Sequence, residues 1–132
     1  KTKMGADSIT DLIGHVENEK LRVEMTSELD RYEELASRAA KLSRDRGEEP
    51  KEEGALAKAA VKMSMAVNTM ADSSASHIAE MMIQGAGMGV TDLRRAISAE
   101  ERLEKPDAEA VALARETVRF EESSAEKLKA FL

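Results

Sequence analysis

Two histidines, a few carboxylates that interrupt apolar stripes, and a methionine-rich middle are the residues of this 132-residue chain with the means to do chemistry. His77 and Glu80 are three apart, and His15 and Glu19 are four apart. On a helix either pair would lie on one side and could offer two ligands to a metal ion. A tight site needs three or four ligands, and two histidines must serve the whole chain. Both pairs are therefore read as structural, with His77 in the first turn of a helix and His15 bordering an apolar face. The chain has no Cys, which excludes thiolate metal sites, disulfides and a Cys nucleophile. It carries no Ser-His-Asp set and no phosphate-binding loop motif.

Carboxylates are the second candidate group. Glu121 and Glu122 fall between Val118 and Ala125 in an apolar stripe, so at least one should lean inward. Asp92 and Glu28 break other stripes in the same way. Inward carboxylates are the starting material of metal sites in helical bundles. The preferred reading places all four at stripe edges, reaching solvent or pairing with Arg or Lys, because a lone buried carboxylate is costly. No catalytic residue, cofactor-binding residue or metal ligand is assigned from the sequence.

Two further features have a chemical and a packing reading. Met63, Met65, Met70, Met81, Met82 and Met88 crowd the middle of a chain with only 2% aromatic residues. Thioethers could bind Cu(I) or line a haem pocket, but flexible Met is also the natural filler of a core poor in aromatics, the preferred reading. Gln84-Gly85-Ala86-Gly87-Met88-Gly89 places three glycines within five residues. Each costs about 1 kcal/mol relative to Ala inside a helix. Close approach of a neighbouring helix is the preferred reason, with ligand space or a helix break as alternatives.

Helices must position these residues, because apolar positions recur at three and four while β-branched and aromatic residues never alternate over a run. Five segments are predicted. The first ends near Val16. The second spans about 19–46, with Asn18 as its N-cap and Gly47 as its stop. The third covers about 55–71. The fourth covers about 75–97, after possible caps in Asp72-Ser73-Ser74, and Ser98 and Glu101 have capping-box spacing for a short extra turn. The fifth runs over about 107–131, with Pro106 suited to its first turn. Paired hairpins from segments one and two and from four and five, linked across segment three, would make an all-α four-helix bundle with a helical crossover. Consecutive up-and-down packing is the competing topology.

Several strings resemble a family. Glu17-Asn18-Glu19-Lys20-Leu21, Arg31-Tyr32-Glu33-Glu34-Leu35-Ala36, and Phe120-Glu121-Glu122 followed by Glu126-Lys127-Leu128 are similar to small, uncharacterised bacterial ferritin-like proteins. Arg46-Gly47-Glu48-Glu49-Pro50-Lys51 looks like the Gly-Gly-x-Pro start of that group's crossover, with Glu48 in place of the second Gly. The resemblance implies a ferritin-like scaffold over the single domain 1–132. Di-iron members carry Glu-x-x-His on two helices, a motif this chain lacks: Arg31 is third after Glu28, and His77-Ile78-Ala79-Glu80 has the reverse order. The scaffold is thus expected without the di-iron ligand set.

Composition bounds the partners. Lys plus Arg is 20 and Asp plus Glu is 26, for a net charge of −6, which disfavours nucleic acid and anionic membrane surfaces. No run of about 18 apolar residues predicts a transmembrane helix, and Lys1 to Asp7 lacks the apolar core of a signal peptide. The expected protein is cytoplasmic. It acts by association, as a homo-oligomer or with a protein partner. Metal or redox chemistry through inward carboxylates and small-molecule binding in a Met-lined pocket are the alternatives.

Overall fold

Each helix starts where a short polar side chain can take up a backbone N–H that the helix leaves unbonded. In a computed structural model that describes residues 13–14, 16–47 and 74–132, three α-helices follow such caps. Asn18 accepts from Leu21 N at 2.9 Å and opens α1, Glu19–Asp45. Ser74 accepts from His77 N at 3.3 Å and opens α2, Ala75–Glu101. Asp107 accepts from Ala110 N at 3.0 Å and opens α3, Ala108–Leu128. A 3-10 turn, Lys129–Phe131, follows α3. α1 stops at Gly47, whose φ of +74° is the left-handed conformation that glycine adopts without steric cost.

All regular structure among the described residues is helical. Among the described residues three α-helices stand, at the places of the second, fourth and fifth predicted segments. The predicted segment 55–71, and the predicted first segment apart from its end, lie outside the described residues.

Two boundaries differ from expectation. Ser98 and Glu101 do not cap a separate turn, because α2 continues unbroken to Glu101. Ile97 is buried at that point, and the Glu100 carboxylate accepts from Asp107 N at 3.0 Å, so the last turn of α2 is tied to the start of α3. Pro106 does not enter the first turn of α3. It precedes the Asp107 cap, which leaves the carboxylate free to accept from Ala110.

The contacts fix the directions. Arg94 meets Glu122 at 3.3 Å and Glu101 meets Arg115 at 2.8 Å, so α2 and α3 form the predicted antiparallel hairpin. Arg38 meets Glu116 at 2.7 Å and Arg46 meets Asp107 at 3.4 Å, so α1 is antiparallel to α3 as well. α1 and α2 therefore run in the same direction, as both a crossover bundle and consecutive packing require. The principal apolar cluster joins the N-terminal ends of α1 and α2 to the C-terminal end of α3. Val16, Leu21, Met25, Ile78, Ala79 and Leu128 form it, with Met81, Met82 and Phe131 packed against it. Each fully buried Leu, Ile or Met contributes about 1.5–3 kcal/mol.

Asp107 both caps α3 and pairs with Arg46. Asp107→Ala is expected to cost about 1–2 kcal/mol, mostly through the cap. Urea denaturation measures this, and an unchanged midpoint would show that the cap contributes nothing.

Candidate functional site

The side chain that departs furthest from a solvated helix face is Glu121. It is 1% exposed, and its Oε2 is buried with no hydrogen-bond partner. α3 directs it against α2, where Gly89 supplies the space. A Cβ at Gly89 would overlap the carboxylate, with the carboxyl carbon only 2.8 Å away. The room made by this glycine is thus filled by a side chain of the same molecule. Burial, with a smaller contribution from the negative charge of Asp92, pushes the Glu121 carboxyl up to about 8. It is mostly the neutral acid at pH 7. Tyr32 of α1 lies close by. Its phenol is pushed above the usual value, first by burial and then by Glu121.

One turn along, Glu28 of α1 is half-buried, and its Oε2 is also buried and unpartnered. Burial raises its carboxyl first, and the adjoining Glu24 adds to this. Ser124 and Lys127 act in the opposite sense, and the group reaches about 9. Glu28 lines a groove of about 380 Å³ between α1 and α3, with Glu24, Ser27, Phe120, Ser124 and Lys127 among its other walls. No methionine lines this groove, so it is not the predicted Met-lined pocket.

At the far side of the groove, Glu116 receives hydrogen bonds from Arg31 at 2.7 Å and from Arg38 at 2.7 and 2.9 Å. These guanidinium bonds, Arg38 first, hold its carboxyl down to about 2. Glu116 is an anion at every ordinary pH, whereas Glu28 and Glu121 retain protons.

The four predicted carboxylates therefore separate. Glu121 is buried, against the stripe-edge expectation, because Gly89 opens a place for it. Glu28 is partly withdrawn, also against that expectation. Glu122 is exposed and meets Arg94 at 3.3 Å, and Asp92 is exposed with Arg95 at 3.9 Å, both as the stripe-edge reading requires. His77 sits in the first turn of α2, where its N–H donates to Ser74. His15, Met63, Met65 and Met70 lie outside the described residues. Met25 is fully buried, Met81 and Met82 pack on the core, and Met88 is 58% exposed. Gly85 and Gly89 are buried, Gly87 faces open space, and the helix is unbroken through all three.

Among the described residues, no three His, Cys, Asp or Glu side chains are placed to hold one ion. The described residues alone do not fit the di-iron centre that a ferritin-like scaffold would imply. Glu121 and Glu28 can hold a proton away from water, donate it, or lend an oxygen to a ligand set completed elsewhere. The signal for Glu121 was present in the sequence as a helix-interior glycine, which sequence reasoning assigned to a neighbouring helix. No described helix is long and apolar enough to cross a membrane. No family model, curated protein or solved structure matches this chain.

Proposed function

We propose that this chain is a cytoplasmic, bacterial, ferritin-like helical bundle that is not an enzyme and works by protein association, first of all with copies of itself. The supporting observation is the outer middle of α2. Met88 is 58% exposed there, beside Gly87, whose missing side chain leaves nothing within 4 Å. A mid-helix glycine costs about 1 kcal/mol relative to Ala. Gly89 has an intrachain reason in Glu121, but Gly87 has none among the described residues. A neighbour approaching from outside supplies one, and exposed Met is well suited to adaptable protein surfaces.

Sedimentation equilibrium of the full chain tests this reading. The average mass should rise from one chain to two or more with concentration. A mass of one chain up to about 1 mM, where association would be worth less than about 4 kcal/mol, would remove self-association.

A second reading, cation binding by inward carboxylates, draws support from the unpartnered Oε2 of Glu121. Titration with Mn, Fe or Zn ions that leaves both the melting temperature and the Glu121 carboxyl NMR shift unchanged would end it.

A further inference from the structure

The outer face of α2 is self-complementary. Glu80, Gln84, Gly87, Met88, Thr91 and Arg95 are all exposed. At 3.6 residues per turn they fall within an arc of about 100°. The arc lies opposite the side that buries Ile78, Gly85, Ala86 and Gly89. It carries an acid near its start, a base near its end, and four uncharged residues between them. Glu80 has no ion-pair partner among the described residues. Arg95 is 79% exposed at its side chain and, among the described residues, pairs with Asp92 alone, at 3.9 Å.

We infer that α2 pairs with α2 of a second copy, antiparallel about a two-fold axis between Gly87 and Met88. This rests on the association reading above and specifies its surface. A two-fold interface must match itself, residue i meeting j while j meets i. Here residue numbers in each facing pair sum to 175, so Glu80 faces Arg95, Gln84 faces Thr91, and Gly87 faces Met88. The charges lie about 11 Å on either side of the axis, where opposite signs coincide twice. In a parallel pairing Glu80 would face Glu80 and Arg95 would face Arg95. Gly87 lets the backbones approach, and the Met88 side chains close over the gap.

Charge reversal and cross-linking of the full chain test this inference together. Glu80→Arg and Arg95→Glu should each weaken dimerisation about tenfold, because each change replaces two attractions with two repulsions. The double variant Glu80→Arg/Arg95→Glu should restore it. The chain has no native Cys, so single cysteines report position cleanly. Met88→Cys, beside the axis, should form an intermolecular disulfide under mild oxidation. Ser98→Cys, exposed on the same side of α2, should not, because its copies would be about 30 Å apart. A dimer indifferent to these charges, unrestored by the double variant, or cross-linked as readily through Ser98→Cys overturns this face while leaving self-association standing. A chain that remains a monomer with no Met88→Cys cross-link overturns both.

Discussion

Gly89→Ala is expected to lower the stability of the fold by about 2 kcal/mol, although Ala is the better helix former by about 1 kcal/mol. The added methyl has no free volume to occupy, because the Glu121 carboxyl already fills it. Glu121 is 1% exposed, so the carboxylate can move off Gly89 only by displacing the groups packed over it. Gly87→Ala is the internal control. A methyl there meets nothing within 4 Å, so in dilute protein it should gain about 0.4–1 kcal/mol from helix propensity alone. Combining Gly89→Ala with Glu121→Ser should recover part of the loss, since the shorter side chain vacates the space. Urea denaturation of these three variants and of Glu121→Ser alone checks the set. Equal effects of alanine at 87 and 89, or no coupling between 89 and 121, would show that the glycine and the carboxyl do not share one space.

The protonation of Glu121 should govern how the fold responds to alkali. Its carboxyl lies near 8 in the fold against an ordinary 4.5. Between those values the folded chain holds a proton that the unfolded chain has released, so stability must fall as pH rises. The contribution is complete below about 4.5, declines through the neutral range, and is gone once pH passes about 8. The loss over that interval is on the order of 5 kcal/mol. Glu28 acts in the same direction and extends the decline to about 9. Glu116 has the opposite sign. Its value near 2 means that its contribution is present above 4.5 and is lost only in strong acid. Glu121→Gln keeps the shape and removes the ionisation. It should shallow the fall in melting temperature between pH 5 and pH 8.5 and make the variant the more stable protein at the alkaline end. Glu28→Gln/Glu121→Gln should flatten the profile further. A parent melting temperature that is level or rising over that range would be incompatible with a proton retained on Glu121.

Much of the fold is legible in the residue order, because the signals involved are local. Asn18, Ser74 and Gly47 act where their own side chains or backbone angles require, and periodicity places Leu21, Met25, Tyr32 and Leu35 on the inner side of α1. The errors come where two local signals compete. Ser98 with Glu101 has capping spacing, but Ile97 is worth more buried in a continuing helix, and Glu100 reaches the next connection instead. The carboxylates needed information from another helix. Glu121 and Glu122 are chemically equivalent neighbours in the chain. Which one turns inward depends on whether α2 offers a gap opposite, and that gap is Gly89, 32 positions earlier. Spacing within α3 contains nothing of this.

The inner side of α1 changes character along its length. Its buried residues end at Leu35. Beyond that point its cross-helix ion pairs among the described residues run from Arg38 to Glu116 and from Arg46 to Asp107. Dissolved ions screen exposed charges but leave oily contacts nearly untouched. Ionic strength is therefore a dial that acts unevenly along α1: added salt should loosen the stretch leading to Gly47 more than the half rooted at Leu21, so fraying would start at the C-terminal tip.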